Sequence, residues 1–313
     1  GIVGASAAAV SVNIGGYTIT NIFDNDIDAI IDDTTLTSAK STTLTAESDI
    51  DILNGLASGG LAGIGANILA NVLVNTINNN VGANISNSSI DGGSVSTSAK
   101  QDSIDGGSVS TSAKQDSNIN NNAYAVAGTV KGETTVINTA VNVFENNLTS
   151  GIDNVSTDNA SNISVIADSV ENLTNTNMGV TVAGVGASIG ANAIVNVIEN
   201  TTKAYINSKD KTINSTGSIL VSSDDEILIN NKLGLISLAA GAIGAGVDVN
   251  VMNNAVIAEL LTNENGQINA NNLEVLANST IGMDNSIVSA AGGIAGIAAN
   301  VVVNSIGSKA DFS

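Results

Sequence analysis

The sequence has no cysteine, histidine, proline or tryptophan, and no arginine: its nine basic residues are all lysine, at Lys40, Lys100, Lys114, Lys131, Lys203, Lys209, Lys211, Lys232 and Lys309. Each absence removes some chemistry. Without histidine or cysteine there is neither a nucleophile–imidazole pair nor an ordinary zinc site. Without arginine, the planar fork that clamps carboxylates and phosphates is missing. No Walker-type phosphate loop occurs, and no G-x-G-x-x-G stands between a strand and a helix. Aromatic residues make up only 2% of the 313 residues, so a core must be built from Ile, Val, Leu and Ala, within a hydrophobic fraction of 43%. The lack of proline leaves every backbone N–H free to join a ladder.

Basic residues are few against the acidic ones, and the formal charge is −20. That argues against nucleic acid, whose phosphates need clustered Lys and Arg, and against anionic membrane surfaces. It suits a soluble particle that must not collapse on its neighbours. A mean hydropathy of +0.26 argues against ordinary disorder. Freedom from cysteine is compatible with a bacterial chain exported unfolded. Gly1 opens no basic segment followed by an apolar run and cleavage site. The chain starts in mid-pattern, which reads as a fragment of something longer.

What is present is a repeat, the feature to seek first. Its copies are TNIFDN (20–25), VNTINN (74–79), VNVFEN (141–146), VNVIEN (195–200), VNVMNN (249–254) and VNSIGS (303–308). The first Asn of each is an anchor: Asn21, Asn75, Asn142, Asn196, Asn250 and Asn304, at spacings of 54, 67, 54, 54 and 54. The odd interval has a cause: 90–103 reads IDGGSVSTSAKQDS and 104–117 repeats it letter for letter, so removing one copy turns 67 into 53. Other columns share the register. Large apolar residues stand two after the anchor (Phe23, Ile77, Phe144, Ile198, Met252, Ile306). Asn25, Asn79, Asn146, Asn200 and Asn254 stand four after it, small residues eight after it, and Ile or Leu ten after it. Seven before the anchor stand Ile14, Ile68, Thr135, Ile189, Ile243 and Ile297.

Short runs of Ile, Val and Thr read as strands, and the Asn, Asp, Gly and Ser clusters between them as tight turns. Many short strands in a repeat without hairpin symmetry predict an all-β chain that winds one way: a single parallel β-helix (β-solenoid) segment over 1–313. Fifty-four residues are long for one coil, so two coils of roughly 27 per repeat are expected. The two Asn columns would then stack as structural amide ladders. A rival reading takes the uncharged stretches 178–198 and 286–306 as membrane-inserting helices. Their Gly and Asn content, the lack of flanking Lys, and Asp248 in the equivalent stretch 234–252 argue against stable membrane insertion. The duplication reads as gene slippage absorbed as a loop or part-coil, or else as a protruding strand pair used for contact.

Carboxylates are the remaining chemistry. They cluster at Asp24, Asp26 and Asp28; Asp32 and Asp33; Glu47, Asp49 and Asp51; and Asp224, Asp225 and Glu226. They share no column, so solvated turns are the expected role. Asp224, Asp225 and Glu226 are weak Ca²⁺ candidates; no other metal or cofactor and no catalytic residue is expected. A secreted β-helical polysaccharide-degrading enzyme, working with Asp and Glu alone, is the enzymatic alternative.

The stretch GVGASIGANAIVNVIENTTKAYI (184–206), followed by GSILVSS (217–223), resembles the repeats of large filamentous adhesins and leukotoxin-like exoproteins of fusobacteria and related anaerobes. The resemblance implies a secreted, cell-surface protein exported by a type V or two-partner route. It also implies a β-helical stalk and adhesion to host or bacterial surfaces. The expected function is therefore non-enzymatic: a rigid rod for adhesion or fibre formation, binding a receptor or glycan and associating end to end. A membrane-active leukotoxin-like segment is the further alternative.

Overall fold

The structure, a computed structural model, describes residues 2–37, 41–91, 94–95 and 108–312. The described residues contain no helix. Their long strands are β1 (Ile2–Asp32), β3 (Ser41–Ser86), β6 (Ser108–Asp153), β8 (Asn162–Asn207), β10 (Ser218–Leu238), β11 (Gly241–Leu261), β13 (Asn272–Gly292) and β14 (Ala295–Phe312). Between them lie short strands: β2 (Thr35–Thr37), β4 (Ser89–Asp91), β5 (Ser94–Val95), β7 (Ser156–Ala160), β9 (Thr212–Ser215) and β12 (Gln267–Asn269). All pairings are parallel, and the chain is a β-solenoid.

Each strand is hydrogen-bonded to the same position one repeat away. Asn21 lies opposite Asn75, Asn75 opposite Asn142, Asn142 opposite Asn196, Asn196 opposite Asn250 and Asn250 opposite Asn304. One repeat therefore makes one coil, which corrects the expected two coils of roughly 27 residues. That expectation assumed strands of about 5–6 residues. Here each coil carries two arms of about twenty residues; β10, β11 and β13 are each 21 residues long.

The coil is flat. Its two arms fold back at a bend and face one another, so that Asn54 and Asn75 of a single coil meet through their side chains. At the bend stand Gly65, Gly132 and Gly186, with φ of 135°, 136° and 140°. A Cβ on Gly132 or Gly186 would lie 1.8 Å from the carbonyl oxygen of the bend glycine one coil earlier. Only glycine fits this stack. At the opposite edge the short strands form a second sheet in the order β12-β9-β7-β4-β2, which closes the coil at a corner. The chain enters that corner through Asp33, Asn87, Asn154 and Lys209 at φ of 46–54°. Asp and Asn are among the residues that tolerate this left-handed geometry.

Successive residues of a strand point to opposite faces. Parity from the anchor therefore decides what is buried. The anchors and the columns two, four, eight and ten after them point inward. In the corner half they join arm-one residues such as Ile163, Val165, Ile219 and Val221 in the main apolar cluster. A second cluster follows, around Ile77, Phe144, Ile198, Leu173 and Ile229. The column seven before the anchor has odd parity and points outward.

Two irregularities are absorbed outside the arms. Across the corner the register shift changes from 54 (Asp153↔Asn207, β6 against β8) to 56 (Ile163↔Ile219, β8 against β10). Across the bend it returns to 54 (Ala187↔Gly241). A corner two residues longer is offset by a bend two residues shorter, and both changes are even. The duplication is handled differently: the shift is 54 at Thr37↔Asp91 and 67 at Thr42↔Val109. Thirteen added residues thus enter at one corner. Equivalent residues of the two copies, Val95 and Val109, both pair with Thr42. Half of the duplicated segment (92–93 and 96–107), and with it the choice between loop, part-coil and strand pair, lies outside the described residues.

Candidate functional site

A buried amide costs free energy unless its donors and acceptors are paired. The anchor asparagines meet this demand by bonding to one another. Each Nδ2 donates to the Oδ1 one coil on: Asn21 to Asn75 (2.8 Å), Asn75 to Asn142 (2.8 Å), Asn142 to Asn196 (2.7 Å), Asn196 to Asn250 (2.7 Å) and Asn250 to Asn304 (2.8 Å). Facing them across the core is a second column on the other arm: Asn54, Asn121, Asn175 and Asn231, followed by Asn285. Asn54 donates to Asn121 at 2.9 Å, Asn121 to Asn175 at 2.8 Å and Asn175 to Asn231 at 2.8 Å. Cross-rungs join the columns in a zigzag, among them Asn75 to Asn121 (3.0 Å), Asn121 to Asn142 (2.8 Å) and Asn142 to Asn175 (3.0 Å). Asn121, Asn142 and Asn175 each donate two bonds and accept two, the whole capacity of an amide used in this way. At Asn231 the second column is diverted, because its amide donates to Asp248 Oδ1 at 2.8 Å.

The second column escaped the sequence analysis. Its spacings are 67, 54, 56 and 54, and the single 56 hides it from a search anchored on a constant period. Allowing compensated shifts of two residues would have revealed it.

The column four after the anchor behaves differently. Asn25 donates to Asn79 at 3.1 Å, but Asn146 turns to Glu171 Oε1 (3.2 Å). Asn200 and Asn254 turn to Asp225, at 3.4 Å and 2.8 Å. Glu171 and Asp225 have no exposure at all. Burial, with the neighbouring Asp225 charge added, pushes the Glu171 carboxyl well above the usual range. Burial pushes Asp225 up to about 6, against the lowering effect of hydrogen bonds from Asn200, Ser169 and Thr202. Asp248 is also raised by burial, opposed by bonds from Asn231 and Asn250.

The three calcium candidates do not converge. Asp225 points inward while its chain neighbours Asp224 and Glu226 point outward, as strand alternation requires. Asp24, Asp26 and Asp28 share the outer face of β1, where Asp26 accepts from Asn80 and Asp32 from Ser86 and Asn87. Glu47, Asp49 and Asp51 share the outer face of β3. Among the described residues, no three acidic side chains gather as metal ligands do.

The outer surface of the bend half is apolar. On arm two, Ile189, Ala191, Ala193, Val195 and Val197 face out beside Ile243, Ala245, Val247, Val249 and Val251. On arm one, Tyr124, Val126, Met178, Val182, Ile236, Leu238 and Val288 do the same. Ile189 and Ile243 are each 44% exposed. Many inner residues of these segments are small or polar, among them Asn177, Thr181, Ser188, Asn192, Asn196 and Asp248, with Ile194, Leu233 and Leu235 buried between them. The corner half is the reverse, with Ile and Val inside and Asp, Asn and Lys outside. The uncharged stretches noted in the sequence are thus strands with an apolar exterior, and no helix among the described residues is long and apolar enough to cross a membrane.

No family model matches the chain, and no curated protein or solved structure matches it. The class is defined by the fold: a repeat protein of the β-solenoid type, one coil per repeat, sealed by an amide seam.

Proposed function

We propose that the chain is a non-enzymatic structural and adhesive segment of a secreted bacterial surface protein. The observation that carries this reading is the broad apolar outer zone of the bend half, repeated coil after coil on an unbroken stack. Exposed apolar patches beyond a few hundred Å² mark interaction surfaces, and the solenoid spreads this one along its length. The proposed partners are a host-cell or bacterial receptor, or a glycan. End-to-end association into fibres would extend the same surface. The test is binding of the purified chain to host cells, bacteria and immobilised glycans, alongside a Val195→Asp/Val249→Asp variant. Both substitutions lie on the outer face, so the fold should survive them and adhesion should drop. Wild-type protein that binds none of these would leave a passive spacer.

One observation favours a membrane-active reading. Ala187 to Val197 is an arm segment of eleven residues, about 35 Å at roughly 3.3 Å per residue. Membrane-crossing strands need roughly 9–11 residues with apolar side chains outward and polar ones inward. Dye release from zwitterionic vesicles would support this reading, and intact vesicles at micromolar protein would end it.

A further inference from the structure

The outer face of arm two carries a strip that charges avoid. From nine residues before the anchor to one after it, alternate side chains point outward; in β8 they are Ala187, Ile189, Ala191, Ala193, Val195 and Val197. Over the six coils the strip holds one charge among the described residues, Glu133, although the chain's formal charge is −20. The acids resume at its corner-side edge, where Asp24, Glu145 and Glu199 stand three after the anchor. Arm one has no such strip, because its outer bend half is broken by Lys232 and by Gly55, Gly59 and Gly128.

The strip is large enough for one partner. At about 3.3 Å per residue and 4.8 Å per coil it measures about 35 Å by about 29 Å, a footprint of roughly 1,000 Å². A stable interface buries roughly 800 Å² on each side. Its columns also complement one another. The column five before the anchor is small, as at Ala70, Ala191 and Ala245, and the column one before it is branched, as at Val74, Val195 and Val249. Take a twofold axis along the solenoid, over the column three before the anchor. It runs the strands of two copies antiparallel and sets the small column against the valine column, so that side chains interdigitate. It also sends the two acidic corner halves in opposite directions. The parallel arrangement would set alanine on alanine, isoleucine on isoleucine, and Glu145 and Glu199 on their own copies, which like-charge repulsion opposes.

We propose that the outer strip of arm two is the interface of a homodimer, two solenoids packed face to face about 10 Å apart with their strands antiparallel. The inference rests on the reading of the bend half as an interaction surface and names its partner as a second copy of this chain. The apolar side chains of arm one stay outward in the dimer. An isologous interface closes at two copies, whereas stacking of coil ends has no such limit.

The experiment is sedimentation equilibrium of the purified chain with no receptor present. The expected result is a dimer at micromolar concentration. Val195→Asp/Val249→Asp should weaken association at least about a hundredfold, because the dimer would bury unpaired carboxylates. Val182→Asp, on arm one, should leave the dimer intact, and circular dichroism checks that both variants fold. The chain has no cysteine, so Glu199→Cys can carry a single nitroxide. Its column lies six residues from the axis, so the two labels should sit about 40 Å apart, against about 10–20 Å in the parallel arrangement. This distance decides the matter should the aspartate variant not fold. A wild-type monomer at tens of micromolar overturns the proposal. So does a dimer that survives Val195→Asp/Val249→Asp, an open-ended series of oligomers, or the shorter label distance. A monomer that still binds cells or vesicles would overturn the dimer and keep the adhesive or membrane reading. A dimer that binds no cell would keep this inference and remove adhesion.

Discussion

At the residue scale the seam asparagines are defined by saturation. Asn142 exchanges four hydrogen bonds with four other amides in a site with no solvent exposure. Truncating it would strand a donor or acceptor on every partner. Asn142→Ala is expected to cost about 2–4 kcal/mol, read as a lower midpoint in guanidinium unfolding. Asn142→Asp should be worse, because two donated bonds become oxygen–oxygen contacts. The buried acids predict an unusual pH response. Asp225 is held near 6 in the fold against 3.8 when unfolded, chiefly by burial, with Glu171 beside it in the core and the Asp224 charge on the opposite face of the strand adding to the rise. The folded chain therefore binds the proton more tightly, and its contribution to stability is full below about 4 and lost as the pH rises through about 6. Glu171 is shifted the same way and adds to the effect. Thermal melts should show stability falling from pH 4 to 7, and Asp225→Asn should flatten the curve.

At the element scale the arm carries the regularity and the bend carries the steric constraint. Gly186 combines φ of 140° with a hypothetical Cβ 1.8 Å from Gly132 O. Gly186→Ala should lose at least about 2 kcal/mol, whereas Gly241→Ala, with nothing within 4 Å, should stay within about 1 kcal/mol of wild type. Urea unfolding of the pair distinguishes them. The elements also show what could be read without coordinates. The anchors and the columns two, four, eight and ten after them fell on one parity, and that parity is the inner face. The length of an arm could not be read, because alternation does not announce where a strand stops when the bend itself stays in β geometry. Nor could the inverted polarity of the bend half. Alternation says that two faces differ, and the ordinary assumption that the apolar one is buried fails there.

At the scale of the whole molecule, stacking tolerates additions at corners and not within arms. The corner between Asp91 and Ser108 is thirteen residues longer than its counterpart one coil earlier, and the pairing of Thr42 with Val109 runs on in register to Ser86 and Asp153. Deleting 92–104 should therefore restore the 54-residue period and leave circular dichroism and melting temperature close to wild type. Removing one whole 14-residue copy would leave the corner one residue short and should cost stability. Loop shortening by itself changes little, about 0.6 kcal/mol per doubling of length. An equal deletion inside β6 would misplace every inner side chain beyond it.

The opposite polarity of the two halves has a consequence for how the chain chooses its threading. A slip of one residue turns a strand's faces over. In the corner half that would expel Ile85, Ile152 and Ile206 into water. In the bend half of β8 the same slip would hide Ile189, Val195 and Val197, release the asparagines and expose Ile194 alone among the large apolar residues of that stretch. In β11 and the second arm of β8 the two halves thus favour opposite registers, and the native one is the corner's choice imposed on the bend, whereas β3 buries Leu56, Leu69 and Leu73 in its bend half. Such local frustration is uncommon in a foldable sequence. It makes the bend half a poised surface, held apolar side outward by a core that lies at the other end of the same strand.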